Sequence, residues 1–255
     1  MQYDKAFTDA LQFVWGEGFL SPGGPAEVDA LVEGCGIAGL NVLDIGSGLG
    51  GVDVLLASRH GAGEVIGIDV EEQLIEAARD LIAAKGLADR VSFRLVEPGP
   101  LPFADAAFDI VFSKDAMLHI PDKPALYADV LRVLKPGGAF IASDWLWGPA
   151  AAANPFVLTW LEKSHLKVTF TTPPEAESAV RLAGFHDVTV TERSALLRAA
   201  ILQEIALLEA GGLARLAAII GEEKAAERLE SPKARLGALD TGQLLPSHLR
   251  GRRPV

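Results

Sequence analysis

One cysteine, two methionines and two tyrosines occur in 255 residues, and the 23 lysines and arginines fall well short of the 34 aspartates and glutamates. Each shortage excludes something. A lone Cys35 rules out an intramolecular disulfide and a four-cysteine metal site, and reads as a small core or loop thiol. No metal is expected. A net charge of -11 repels phosphate backbones and anionic lipid, so neither nucleic acid nor a membrane surface is an expected partner. No uninterrupted apolar run reaches membrane-spanning length. Met1 to Asp9 carries charges and lacks an apolar core followed by a cleavage site, unlike a secretory signal. The expectation is a soluble cytoplasmic protein. What is present, 49% hydrophobic and 22% charged residues, is a globular composition long enough for one α/β domain with an added cap.

Strand-like and helix-like periods alternate from residue 41 to about 192. Strands are expected at Val42–Ile45, Glu64–Val70, Val91–Val96, Phe108–Ser113, Ala139–Asp144 and Asp187–Glu192, with a short last one in Gln243–Pro254. Helices are expected at Val52–His60, Glu71–Lys85, Lys123–Leu134 and Pro174–Ala183. Glycine stops follow at Gly61 and Gly86, and Lys135-Pro-Gly-Gly138 closes the third helix. Mostly apolar strands that alternate with helices imply a parallel sheet covered on both faces. Its ligand site lies beyond the carboxyl ends of the strands. Two segments break the alternation. Met1–Glu33 holds a helix, Lys5–Trp15, and then the glycine- and proline-rich Gly16–Pro25. Trp147–Phe170 carries Trp147, Phe156, Trp160 and Phe170. Either suits a lid. Leu196–Leu229 reads as helical, broken at Gly211-Gly212.

The most informative stretch is Asn41-Val-Leu-Asp-Ile-Gly-Ser-Gly-Leu-Gly-Gly51, a buried strand that ends in a glycine turn. Gly46, Gly48 and Gly51 satisfy G-x-G-x-x-G, which allows close approach of backbone to ligand at a helix N-terminus. Asp69 closes the next strand, where a carboxylate can accept the hydroxyls of a ribose. Dinucleotides and S-adenosylmethionine both use this geometry. Asp44, two residues before the first glycine, favours the second: a carboxylate there suits an ammonium and a sulfonium and repels a pyrophosphate. On the glycines and Asp69 taken alone, an NAD-dependent oxidoreductase remains the alternative, and a cofactor-binding protein without catalysis is a third.

Leu101-Pro-Phe-x-x-x-x-Phe-Asp109 and Leu134-Lys-Pro-Gly-Gly138 add to Leu43-Asp-Ile-Gly-Ser-Gly-Leu-Gly50. Over about residues 38–192 this set resembles the class I S-adenosylmethionine-dependent methyltransferases. The resemblance implies a Rossmann-like, seven-stranded, mostly parallel sheet with one antiparallel strand and helices on both faces. Trp15-Gly-Glu-Gly-Phe-Leu-Ser-Pro-Gly-Gly24 and Ser113-Lys-Asp-Ala-Met-Leu-His-Ile-Pro-Asp-Lys123 narrow it. They are similar to the phosphoethanolamine N-methyltransferases and the sarcosine/dimethylglycine methyltransferases. The division implied is an N-terminal helical lid (1–33) and a methyltransferase domain (34–255) with helical cap segments at 147–170 and 194–236. The lid would close over the cofactor, its tyrosine at Tyr3 pairing with His119 and its loop serine at Ser21. Cofactor contacts are expected at Asp44, Gly46, Ser47, Gly48, Asp69, Val70 and Ser113, and adenine contacts at Glu97 and Pro98.

Methyl transfer from a sulfonium needs alignment, an unprotonated nucleophile and exclusion of water. His119, as an imidazole, can take a proton from an ammonium. Asp115, read as one helical turn before His119, can orient it or hold a substrate cation. His60, His165, His186 and His248 fall in surface-like contexts, with His165 in the cap. Two departures from the family pattern stand out. Pro98 has no N–H for the adenine ring, which leaves Gly99 or packing to serve. The segment after the fifth strand lacks the family's phosphate-binding tyrosines and arginine, and Trp145 replaces a tyrosine. Lys163, Lys167 and His165 are the cations there, and the aromatics suit either an amine cation or plain cap core. Arg235, Arg250, Arg252 and Arg253 could reach an anionic substrate group from the C-terminus, but the favoured reading is that they are solvated. The expected activity is S-adenosylmethionine-dependent methylation of a small molecule at an amine nitrogen, with O- or C-methylation of a larger apolar metabolite as the alternative.

Overall fold

Val42 and Leu43 point to opposite sides of one strand, and that alternation sets the architecture. The computed structural model describes residues 4–149, 155–164 and 168–255. Seven strands, β1 (Asn41–Ile45), β2 (Glu64–Asp69), β3 (Val91–Leu95), β4 (Phe108–Lys114), β5 (Leu134–Trp147), β6 (His186–Glu192) and β7 (Leu244–Arg252), form one sheet of order β3-β2-β1-β4-β5-β7-β6. β7 runs antiparallel to β5 and β6, and the remaining pairs are parallel. On one face Val42, Val65, Ile110 and Phe112 pack under α2 (Gly24–Val32), α3 (Gly51–Ser58) and α4 (Glu72–Ala84). On the other, Leu43, Val111 and Phe140 pack under α5 (Lys123–Val133) and α7 (Pro173–Leu182). The strand order reverses between β3 and β4, which opens a cleft at the carboxyl ends of β1 and β4.

Strand and helix positions match the sequence periods, with three differences. β5 starts at Leu134, so the Lys135-Pro-Gly-Gly138 turn is drawn into the strand at a register shift against β4. α2 occupies the end of the segment that reads as glycine- and proline-rich, with Pro25 in its first turn, where a missing N–H costs nothing. The last helical run continues to Asp240 as α8 (Ser194–Leu207), a π-helical turn at Leu208–Gly212, α9 (Leu213–Ile220) and α10 (Glu222–Asp240). α10 carries Pro232 inside it.

Both irregular segments pack on the C-terminal helices. α1 (Lys5–Trp15) lays Ala10, Phe13 and Val14 against Leu208, Leu213 and Leu216, forming a small core of its own. α6 (Pro155–Ser164) packs on α10 through Val157, alongside Trp145, Leu197 and Leu239. Trp147 and Phe170 lie 4.6 Å apart in contact with this second cluster, so they are cap core rather than a cation cage. Among the described residues no helix is long and apolar enough to cross a membrane.

Close backbone contact ties the lid to the sheet. Gly51 N donates to Gly18 O at 3.1 Å, and a Cβ on Gly51 would fall 2.6 Å from that oxygen. Gly51→Ala therefore displaces the lid loop rather than the sheet. The expected loss is about 1–3 kcal/mol, as for other overpacking substitutions. Limited proteolysis should show faster cleavage within 16–22, and an unchanged cleavage rate there would contradict the contact.

Candidate active site

The glycine turn gives the cleft its floor. β1 ends at Ile45, Gly46 takes φ 77°, and Gly46 N and Ser47 N donate to Ile68 O, which turns the chain across β2 into α3. A side chain on Gly46 would strike the Ala116 Cβ at 2.2 Å, so the turn packs directly against the loop after β4. α3 follows Gly50 with no side-chain cap; its first N–H, on Gly51, goes to Gly18 O of the lid loop, and its positive dipole end lies at the cleft. Asp69, at the end of β2, accepts from Gly48 N at 3.0 Å, Val70 N at 2.8 Å and Glu71 N at 3.1 Å. It is thus a turn-holding acid as well as a ligand candidate, and a carboxylate has about four acceptor positions, so one stays open. Burial nevertheless keeps its pKa above the ordinary value.

The remaining cofactor candidates divide. Ser47 Oγ is buried without a hydrogen-bond partner, beside the glycine turn. Ser113 Oγ is committed to Ile45 O at 2.8 Å and is fully buried, so its hydroxyl bridges β4 to β1 instead of facing the cleft. Val70, Glu97 and Pro98 lie exposed beyond β2 and β3.

Lys114, the last residue of β4, is 7% exposed. Its ammonium donates to Ser21 Oγ at 2.6 Å, Pro22 O at 3.0 Å and Asp115 Oδ2 at 2.7 Å, and so clamps the lid loop to the sheet. Asp115 itself sits at φ 53°, a left-handed turn that aspartate tolerates better than most residues. It is therefore not one helical turn before His119: the short 3-10 helix carrying that histidine runs only from Met117 to His119. Although burial works against the charge, Lys114, Ser21 and Ser143 together lower the Asp115 pKa. Beneath the 3-10 turn, Asp144 accepts from the Leu118 N–H and pairs with Lys123 at 3.7 Å, while Lys123 holds the Met117 carbonyl. Burial pushes the Asp144 carboxyl up to about 7.

Asp115 and His119 line a cavity of about 70 Å³ together with Leu118, Phe7, Trp15, Trp145, Arg228 and Arg235. Arg235 is 3% exposed and ion-paired with Glu204, so it is not solvated. Glu204 also accepts the Trp15 indole N–H at 2.9 Å. Arg228 lies over the rings of Phe7 and Trp15, 5.7 and 5.0 Å from their centroids. Sequence reasoning missed Arg228. The signal was there: Arg228, Ser231 and Arg235 follow i, i+3, i+7 spacing and share one helix face, but Pro232 between them hides the helix. Arg250, Arg252 and Arg253 donate to backbone carbonyls elsewhere.

Tyr3, His165 and Lys167 lie outside the described residues, as does the Lys163 side chain. His248 is no surface histidine: it is 2% exposed, accepts from Arg193 at Nδ1 and meets Glu27 at Nε2, 2.5 Å away. The Arg193 bond leaves the ring proton on Nε2, aimed at the carboxylate. Among the described residues no cluster of histidine, cysteine and acid could hold a metal ion.

A family model described as a methyltransferase domain matches residues 38–177, more than half of the chain. Phosphoethanolamine N-methyltransferase 1 of Triticum aestivum is 32% identical over 196 residues, 76% of this chain and 38% of that protein, so the chain spans well under half the length of this relative. Two solved structures share the fold. Haemonchus contortus phosphoethanolamine N-methyltransferase 2, in complex with phosphomonomethylethanolamine and S-adenosylhomocysteine, aligns with a TM-score of 0.90 at 23% identity, over 100% of this chain and 59% of that one. A sarcosine dimethylglycine methyltransferase from Galdieria sulphuraria aligns at 0.83 and 19% identity, over 98% of each chain.

Lys114→Met would strip the lid loop of its anchor and leave Asp115 a buried carboxylate held by Ser143. Breaking a buried ion pair from one side costs about 3–5 kcal/mol, so the urea midpoint at neutral pH should fall sharply. The Asp115 pKa is depressed in the folded protein. Its contribution is therefore complete above about pH 4, the unfolded carboxylate range, and is lost as pH falls through the folded value. The gap between wild type and variant should narrow in that acid range, and a gap independent of pH would exclude the pair as its source.

Proposed function

The chain belongs to the methyltransferase domain family, and from that membership we propose an S-adenosylmethionine-dependent N-methyltransferase whose acceptor is a small amine bearing an anionic group. An NAD-dependent oxidoreductase, which rested on the glycines and Asp69, is set aside. The residues at the cleft fit the cofactor. Asp69 keeps an acceptor position for a ribose hydroxyl, the Gly46–Gly51 turn admits backbone contact, and the unpartnered Asp44 Oδ1 and Ser47 Oγ lie beside it. When bound, S-adenosylmethionine supplies an electrophilic methyl group on a positively charged sulfur.

The observation that carries the acceptor class is the mixed charge of one small cavity: Asp115 and His119 from the loop after β4, Arg228 and Arg235 from α10. Asp115 attracts the ammonium form of the amine, and His119 takes its proton, so that the nitrogen lone pair is free to attack. Phe7, Trp15 and Trp145 exclude water and offer ring faces to a cation. Arg228 and Arg235 hold the phosphate or carboxylate at the far end. Phosphoethanolamine and sarcosine, which appear in the names of the similar proteins, share that combination of amine and anion. A larger apolar acceptor is not favoured, because two arginines and an aspartate line the cavity. Tyr3 would complete the closure from the lid. An acidic chain with one cysteine fits a cytoplasmic enzyme of small molecules.

Calorimetry should detect S-adenosylhomocysteine binding and none for NAD; the reverse would sink the proposal. In product mass spectrometry on a panel of amines and phenols, methylated amines that carry phosphate or carboxylate are expected. His119→Ala should leave S-adenosylhomocysteine affinity nearly intact and lower turnover by about 10²–10⁴, the usual contribution of a general base. Arg228→Met should raise the KM of anionic acceptors roughly tenfold or more, since a charged hydrogen bond contributes about 1.5–3 kcal/mol. A plain amine should be unaffected, and an equal effect on both would remove Arg228 from anion recognition.

A further inference from the structure

Beneath the glycine turn two acids face each other. Asp44 on β1 is 1% exposed and Asp53, in the first turn of α3, is fully buried. Their carboxyl groups lie within hydrogen-bonding reach of one another. Yet Asp44 Oδ1 and both Asp53 oxygens are buried without a hydrogen-bond partner. Carboxylates only accept, so two of them in contact in a dry site cannot both be ionised. The surrounding charges do not resolve the conflict. Asp69 from β2 adds a further negative charge, and Lys114 from β4, the opposing cation, is already held by Asp115 and the lid. Burial pushes the Asp53 carboxyl up to about 7, and burial first, then Asp53 and Asp69, pushes Asp44 up as well.

We propose that Asp44 and Asp53 hold one proton between them in the free protein, and that the ammonium of the amino-acid end of the cofactor displaces it to solvent on binding. This rests on the cofactor reading above. Asp53 is then a positioning residue that acts through Asp44: it makes the site accept a cation in exchange for a proton. An ammonium brings three donors and a positive charge to oxygens that lack both, which stabilises the doubly ionised pair. Cofactor affinity therefore rises with pH as the free pair loses its proton, and falls again once the cofactor's own α-amino group, at about 7.7–8, loses its charge. The folded free protein binds a proton that the unfolded chain has released, so its own stability falls as pH rises from the unfolded carboxylate range, about pH 4, towards neutrality.

The test is calorimetric titration of S-adenosylhomocysteine near pH 7, below the titration of an α-amino group at about 7.7–8, in buffers of different ionisation enthalpy. The observed heat plotted against buffer enthalpy counts protons. Wild type should release a substantial fraction of one proton, and Asp53→Asn, whose amide gives Asp44 a permanent donor, close to none. Carbon-13 NMR of the aspartate carboxyls in ligand-free wild type gives a second readout that needs neither variant nor cofactor. It should show an aspartate titrating near neutrality in addition to Asp144, whose carboxyl burial also pushes up to about 7, and that additional resonance should no longer titrate there once S-adenosylhomocysteine is bound. No proton release from wild type, or equal release from Asp53→Asn, would overturn the proposal. So would NMR in which no aspartate other than Asp144 titrates near neutrality. Failure of S-adenosylhomocysteine to bind while the additional neutral-range aspartate persists would overturn the cofactor reading and the exchange with it, leaving the shared proton as a property of the free fold.

Discussion

A lysine ammonium taken almost wholly out of water, as Lys114 is at the end of β4, is costly unless each of its donors is met. Here they are met by three groups from two places: a serine hydroxyl and a backbone carbonyl of the lid loop, and the carboxylate of the next residue. That single charge holds the lid over the glycine turn and fixes Asp115 in its left-handed turn, from which the 3-10 helix with His119 departs. It also supplies the positive potential nearest Asp44. Lid position, acceptor site and cofactor site thus share one cation, and a change at any of them is felt by the others.

Around that cation the strand ends are acidic. Asp44 and Asp69 lie at the ends of β1 and β2, Asp115 follows β4, Asp144 lies near the end of β5, and Asp53 lies beneath the first. Parallel strands put their free carbonyl ends, too, on this side of the sheet. The electrostatics of the cleft therefore favour positive ligands, and the arginines that favour an anion stand apart on α10, across the cavity. The two signs thus come from different elements, the acid from the loop after β4 and the arginines from α10.

The cofactor half was legible because its physics is local. The apolar strand, the glycines that turn it and the acid closing the next strand all lie within residues 41–69, and each property is visible residue by residue. The acceptor half was not, because it is assembled from distant segments. Phe7 and Trp15, Asp115 and His119, Trp145, and the α10 arginines come together only through tertiary packing. Where a single residue misled, a competing feature was responsible. Pro232 masked the helix that aligns Arg228 with Arg235. Asp115 at positive φ broke the helical spacing to His119. His248 lay in a strand short of apolar neighbours, and its burial depends on Glu27 and Arg193, far away in the sequence.

That assembly has a consequence for how the two halves communicate. The lid loop crosses the glycine turn at Gly18, while the helix before it, α1, supplies Phe7 and Trp15 to the acceptor cavity and packs its other side on α9. Trp15 is further tied through Glu204 to Arg235. The segment that lies on the glycine turn is thus the same one that walls this cavity and, through Glu204, is tied to its arginine. Displacing this segment would expose the glycine turn and dismantle the cavity together, so the two sites are coupled through one piece of chain.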